Sequence, residues 1–311
     1  MLQNDYAIDV QGLNKFFGNK HVVKDLSLQV EYGQIMGFLG PNGSGKTTAI
    51  RIMCGLLRPD SGQGHCLGYD ILTQTYDIKY NTGYMTQNFS YWEDLSIKEN
   101  LEFIARIYEL ADYKYLVEES LEKLGLSVRS SQLAKELSGG WKQRLALAAC
   151  MIRDPKLLLL DEPTAGVDPS ARRDFWDELH ELSNNGVSVL ISTHYMDEAE
   201  RCHSLAYISE GSLLARGHAQ DIIDTQGLYT MQITGADLVN FEHQLKDVEG
   251  IQTVMFGNNL HLSSKHREIL EEIISFYLSN TQKAELIDTT LEDTFIYLMN
   301  HSKGYSLETL H

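Results

Sequence analysis

Four cysteines in 311 residues, none in a C-x-x-C pair and none spaced with histidine, leave no zinc framework to build on. Cys54 and Cys150 lie in apolar helical patterns, so buried free thiols in a reducing compartment are expected. Long hydrophobic runs are also missing. The apolar run in "KLLLLDEP" is far shorter than the roughly 20 residues that span a bilayer. The start, "MLQNDYAIDV", lacks the basic-then-apolar pattern of a secretory signal. A chain that does not enter a membrane by itself is the expectation. Positive charge is scarce as well: 26 Lys and Arg stand against 43 Asp and Glu, a formal net charge of −17. Such a surface repels a phosphate backbone and argues against nucleic acid as the main partner.

What is present is the composition of an ordinary soluble globular protein, 43% hydrophobic and 22% charged. Up to Gly227 the chain alternates strand-like and helix-like segments, the pattern of an α/β domain. "AIDVQGLNKFFG" and "VVKDLSLQV" read as alternating strands, and "KTTAIRIMCGLL" as a helix after the apolar run "GQIMGFLG". "KLLLLDEP" and "GVSVLIST" are short, wholly apolar strands of the kind buried in a parallel sheet. From residue 228 to 311 the texture changes to β-α-β-β-α-β, which would suit a small ferredoxin-like α+β domain ending in a helix. That stretch carries five Lys and Arg against twelve Asp and Glu, so it is no nucleic-acid arm.

Two stretches carry the chemistry. "GPNGSGKT", residues 40–47, fits G-x-x-x-x-G-K-[ST] between an apolar strand and a helix. Gly40, Gly43 and Gly45, with Pro41, Asn42 and Ser44 between them, let backbone N–H groups turn toward phosphate oxygens. Lys46 adds a point charge at the β- and γ-phosphates, the Thr47 hydroxyl can ligate Mg²⁺, and Thr48 continues the cradle into the helix. In "LLLLDEP", residues 157–163, Asp161 and Glu162 end a buried strand, where two adjacent carboxylates are costly without a cation nearby. In a P-loop ATPase the first holds the magnesium shell and the second orients and deprotonates water. A site for a nucleoside triphosphate and Mg²⁺ follows.

At this point the chain resembles the nucleotide-binding subunits of ATP-binding cassette transporters, over roughly residues 6 to 225. "LSGGWKQR" matches the family signature, "DEPTAGVDP" the second-carboxylate motif with its D-loop, "YMTQN" the Q-loop and "STHYMDEAE" the switch-histidine region. "FFG" matches the loop that stacks on adenine, with Phe17 in the usual tyrosine position. The resemblance implies a P-loop α/β core with an antiparallel β subdomain and a helical signature subdomain. It implies that Gln87 senses the γ-phosphate through magnesium or water and that His194 orients the attacking water. Asp168 would couple two sites across a dimer. Ser138, Gly139 and Gly140 would form a second anion-binding surface at a helix N-terminus, serving the phosphate loop of the opposite subunit. Trp141 stands where the family usually has glutamine, which puts any contact of that side chain in doubt.

One phosphate loop per chain implies a second cassette from another chain, in a homodimer or a heterodimer. The ending "TLEDTFIYLM" and the stretch "STHYMDEAERC" with "GSLLARG" resemble the ABC-2 class of exporters. The implied partners are integral membrane permease subunits, met at the cytoplasmic face through Phe89, Tyr91 and Trp92, three aromatics crowded after Gln87. The other function considered is a soluble cassette protein that clamps a ribosome, DNA or an assembly scaffold. Ribosomal versions usually carry two cassettes and a basic linker, and DNA-repair versions split the cassette with a coiled coil. This acidic chain carries one uninterrupted cassette.

Overall fold

The computed structural model describes residues 6–246 and 248–302, and the chain divides into two compact units, Met1–Leu213 and Leu214–His311. In the first, β1 (Tyr6–Phe17) and β2 (Lys20–Glu31) form an antiparallel hairpin. On β2, buried Leu26, Leu28 and Val30 alternate with more exposed polar neighbours, as a strand with one covered face requires. β3 (Ile35–Leu39) is buried throughout and leads through the glycine-rich loop into α1 (Lys46–Met53). The helix stops four residues short of the sequence-based expectation at Leu57, because the Leu56 and Leu57 N–H groups both return to the Arg51 carbonyl.

β4 (Ser61–Cys66) and β5 (Tyr69–Asp70) complete a four-stranded sheet in the order β2-β1-β4-β5. After α2 (Thr75–Asn81) and β6 (Thr82–Met85) comes a helical layer of α3 (Ile97–Ile107), α4 (Tyr113–Lys123) and α5 (Gly139–Met151). α3 begins at a full capping box between Ser96 and Glu99. The chain then returns through β7 (Leu157–Asp161), α6 (Pro169–Asn184), β8 (Ser188–Thr193), α7 (Met196–Ala199), β9 (Ser204–Ser209) and β10 (Ser212–Gly217). These strands build a six-stranded sheet in the order β10-β9-β3-β8-β7-β6, parallel from β9 to β6.

The unbroken apolarity of "LLLL" has a direct cause. Leu158 and Leu160 point into one core, with α3, α5 and α6, while Leu157 and Leu159 point into the other, with α1 and the β1–β2 hairpin. A strand covered on both faces has no polar side to show.

The second unit opens ahead of the texture change at Gly227, because it takes in α8 (Ala219–Gln226), against which its last helix packs. β11 (Tyr229–Gly235), α9 (Leu238–Leu245), β12 (Gln252–Phe256), β13 (Asn259–Ser264), α10 (Arg267–Tyr277) and β14 (Gln282–Ile287) follow in the order β-α-β-β-α-β. The sheet is antiparallel in the order β12-β13-β11-β14. One face, with Met231, Ile233, Leu260 and Leu262, packs on Phe241, Leu245, Leu270 and Ile273 of the helices. The other is polar yet buried: Thr230, Gln252, His261 and Ser263 lie under α11 (Leu291–Ser302).

Asp293 holds that cover in place. Fully buried, it accepts from the Thr290 N–H and hydroxyl and meets His261 Nδ1 at 3.0 Å, while its backbone carbonyl accepts from Gln252. Thus the first turn of "TLEDTFIYLM" is engaged inside its own unit.

All four thiols are free, with Cys54, Cys66 and Cys150 buried and Cys202 half-buried. Burial pushes Cys54 up to about 11 and Cys150 up to about 12, and raises Cys66 and Cys202 as well. No helix among the described residues is long and apolar enough to cross a membrane.

Replacing Asp293 with alanine should cost the second unit about 2 kcal/mol, the scale of a lost buried hydrogen bond to a charged group. Amide exchange should speed up in β11 and β13 and stay unchanged in β3 and β7; equal exchange in both units would contradict the assigned role.

Candidate functional site

Parallel pairing brings the C-terminal ends of β3, β7 and β8 side by side, and Lys46, Asp161, Glu162 and His194 stand where those strands end. Open α/β sheets bind ligands at this edge. The loop after β3 wraps the Lys46 side chain: its Nζ donates to the Gly40 carbonyl at 2.6 Å and the Pro41 carbonyl at 3.2 Å, and stands 3.4 Å from Glu162 Oε1. Burial pushes the Lys46 ammonium below its ordinary value, partly offset by the Glu162 carboxylate. Gly40 is required sterically, since a Cβ there would lie 2.1 Å from the Ile208 carbonyl oxygen of β9.

Ser44 is buried, and its Oγ has no hydrogen-bond partner within the protein. An orphaned buried hydroxyl in a glycine-rich loop is the mark of a place built for an external acceptor or donor. Pro41, Asn42 and Gly43 are exposed, and Thr47 and Thr48 half-buried at the first turn of α1. At the hairpin end of β1, Phe17 is 51% exposed, free to stack on a planar ring.

Asp161 and Glu162 are both buried. Asp161 is in register with Ser192 of β8, whose Oγ donates to Asp161 Oδ1 at 2.7 Å and accepts from the Glu162 N–H at 2.9 Å. One hydroxyl therefore fixes both acids. Glu162 itself has a positive φ of 47°, a backbone strain of order 1–3 kcal/mol for a residue with a Cβ. The turn aims its carboxylate inward: Gln87 Nε2 donates to Oε2 at 3.0 Å, and His194 Nδ1 approaches the same oxygen at 3.4 Å without forming a hydrogen bond. Lys46, Gln87, Glu162 and His194 are thus one group. Asp161, Thr47 and Gln87 offer a carboxylate, a hydroxyl and an amide oxygen, a donor set that suits Mg²⁺ when nucleotide phosphates complete it.

The signature residues stand apart from this cluster, at the start of α5. Ser138 occupies the N-cap position with its side chain uninvolved in the cap, and Ser138 and Gly139 are exposed, so their polar groups face outward. Gly140 has a second reason to be glycine: a Cβ would meet the Ala171 Cβ at 2.5 Å, where α5 crosses α6. Trp141 is half-buried on the core, with the Arg129 and Arg144 guanidinium groups 4.8 and 5.5 Å from its ring centroid. Its ring anchors the first turn of α5. Asp168 is the N-cap of α6, its Oδ1 accepting from the Ser170 and Ala171 N–H groups at 3.1 and 3.0 Å.

The three aromatics after Gln87 do not form one exposed cluster, and that expectation is corrected. Phe89 and Tyr91 are half-buried against the core, the Tyr91 hydroxyl 3.4 Å from the Ala146 carbonyl, and burial holds its phenol well above the usual range. Trp92 is exposed, edge-on to Phe103 at 4.1 Å between centroids. Sequence reasoning missed what surrounds it. Cavities of about 220 and 590 Å³ share Tyr84, Ile107, Tyr108 and Arg153; Trp92 lines the smaller, and Leu56, Tyr76 and Tyr80 the larger. Tyr76 and Tyr80 lie in an unremarkable helical stretch, and only folding brings them to α3.

A family model described as "ABC transporter" matches residues 23–165. The chain is 40% identical over 218 residues to the probable multidrug ABC transporter ATP-binding protein YbhF of Escherichia coli, covering 70% of this chain and 38% of that protein. It therefore spans well under half the length of that relative. With the Nod factor export ATP-binding protein I of Burkholderia lata it is 34% identical over 306 residues, 94% of this chain and 96% of the relative. A solved structure described as the ATP binding subunit of an ABC transporter superposes with a TM-score of 0.64 at 28% identity, over 71% of this chain and 93% of that one.

Gly40→Ala should displace either the loop or β9 and weaken nucleotide binding by roughly 5- to 150-fold, as about 1–3 kcal/mol of strain implies. Isothermal calorimetry with ATP reads this directly, and unchanged affinity would refute the steric account of the loop.

Proposed function

The chain belongs to the ABC transporter family of ATP-binding cassettes, and on that premise we propose that it is the ATP-hydrolysing motor of an exporter acting through separate membrane subunits. The observation that carries this reading is the convergence of Lys46, Gln87, Glu162 and His194 at one sheet edge, with the signature residues on a different face. One chain offers a loop for triphosphate and, elsewhere, an anion-binding helix start. Two chains packed head to tail would bring Ser138, Gly139 and Gly140 of each to the triphosphate of the other. Export is the activity named for the Burkholderia relative. That likeness, which runs through both units, favours a transporter over a soluble clamp and supports a place for the chain on the cytoplasmic face of a membrane.

In the proposed cycle Lys46 and the loop N–H groups bind the phosphates, and Phe17 stacks on adenine. Mg²⁺, held through Thr47, Gln87 and Asp161, would neutralise the phosphate charge when bound. Glu162 takes a proton from the attacking water and His194 orients that water against the γ-phosphate. The strained turn at Glu162 keeps its carboxylate aimed at this task. Asp168, by capping α6, fixes the loop between Glu162 and that helix at the edge where the second chain would dock.

Glu162→Gln should keep ATP affinity and lose turnover by roughly 10²–10⁴-fold, the usual contribution of a general base. The variant should accumulate as an ATP-bound dimer on size-exclusion chromatography; near-normal turnover would sink the assignment.

For the membrane partner we propose the aromatic cavities beside Trp92. Exposed aromatics around a concave surface are what an interface anchor requires, and each contributes on the order of 2 kcal/mol at a hot spot. Trp92→Ala combined with Tyr76→Ala should reduce co-purification with co-expressed permease subunits at least tenfold while thermal melting of the isolated protein stays the same. Full co-purification would place the docking surface elsewhere.

A further inference from the structure

Glu198 lies four residues beyond His194 in the acidic run "MDEAE", where nothing in the sequence separates it from its exposed neighbours. In the fold it is 1% exposed. A buried carboxylate is costly unless every oxygen finds a partner, and this one finds three. The Thr164 hydroxyl donates to Oε1, the Thr193 hydroxyl donates to Oε2 at 2.5 Å, and Arg172 Nε stands 3.5 Å from Oε1. Both threonines are as deeply buried as Glu198 itself.

The positions of those partners matter more than their number. Thr164 follows Glu162 by two residues, in the turn that the Ala165 N–H closes onto the Glu162 carbonyl. Thr193 directly precedes His194, and its Oγ1 also accepts from the Tyr195 N–H at 3.0 Å, so the hydroxyl bridges the backbone across His194. Arg172 belongs to the first turn of α6, its N–H donating to the Asp168 carbonyl, and its guanidinium lies 4.4 Å from the centroid of Tyr195, the ring beside His194. One buried carboxylate therefore ties the loop after Glu162, the strand end before His194 and the start of α6.

We propose that Glu198 is a positioning residue for hydrolysis, setting the separation and aim of Glu162 and His194 through Thr164 and Thr193. The inference rests on the hydrolytic roles given above to those two residues. Neither threonine touches the reacting atoms; each fixes a backbone from which a reacting side chain projects. Errors of an ångström at such a distance are enough to cost about 10²-fold in rate.

The test compares Glu198→Ala and Glu198→Gln, each alone and in a Glu162→Gln background, in the full-length protein. Glu198→Ala should lower kcat at least tenfold, with KM for ATP and calorimetric ATP affinity within about threefold of the parent. Glu198→Gln keeps a side chain that can accept from one hydroxyl and donate to the other, and should recover most of the loss. Added to Glu162→Gln, Glu198→Ala should lower the residual turnover by less than about threefold, because residues acting as one unit are not additive. An equal fold-loss in both backgrounds, or a parallel fall in ATP affinity, would show a general structural role and overturn the proposal. So would an unchanged kcat. If Glu198→Ala does not fold, Thr193→Val removes one tie at nearly constant volume and should lower kcat at least about fivefold with ATP affinity kept; normal turnover there overturns the proposal equally. Near-normal turnover of Glu162→Gln by itself would remove the hydrolytic assignment, and this inference with it, whereas a silent Glu198 beside an inactive Glu162→Gln would remove only the inference.

Discussion

A single hydroxyl, that of Ser192, sets the geometry on which the rest depends. It donates to Asp161 and accepts from the Glu162 backbone, so the end of β7 is locked to β8 at the residue where the strand stops being apolar. The lock works because the two strands are parallel and in register, Asp161 opposite Ser192. A slip of β7 by one residue would set Leu160 or Glu162 opposite Ser192 in place of Asp161 and break the lock. The leucine run buries both faces of β7 in different cores, and a one-residue slip within it would only exchange leucine for leucine, so the hydrogen bonds at the strand end discriminate the register.

The parts of this arrangement legible in sequence were those with local signatures. The glycine loop and the apolar strands depend on neighbours close in the chain, and residues 40–47 or 157–163 betray themselves by composition. The α/β core followed from them. Hidden were the features that depend on what the fold sets opposite a residue. Gly140 read as an anion-binding glycine, although contact with Ala171 also demands it. Tyr91 read as part of an exposed aromatic cluster, yet its ring is half-buried against the core and its hydroxyl reaches the Ala146 carbonyl of α5. Glu198 looked like one acid among several. No local pattern announces that Thr164 and Thr193, far apart in the chain, will meet at its oxygens.

The second unit illustrates the same limit from another side. Its element order is the one the sequence suggested, but the face that α11 covers is lined by Thr230, His261 and Ser263 and not by apolar residues. Hydrogen bonds led by those of Asp293 tie this polar face to the start of α11. A reading based on apolar periodicity sees such a face as solvent-exposed. Both its burial and the engagement of the ending "TLEDTFIYLM" inside the unit come from structure alone.

The three buried thiols, Cys54, Cys66 and Cys150, have a practical consequence. Alkylating reagents attack the thiolate, and burial keeps these side chains both protonated and out of reach. Replacing half-buried Cys202 alone should leave the protein in effect cysteine-free toward maleimides. A single cysteine introduced at an exposed position would then take a fluorophore or spin label selectively, with no need to strip out the three thiols that fill the cores. Distances between two labelled chains could be followed through the nucleotide cycle on a molecule otherwise changed only at Cys202.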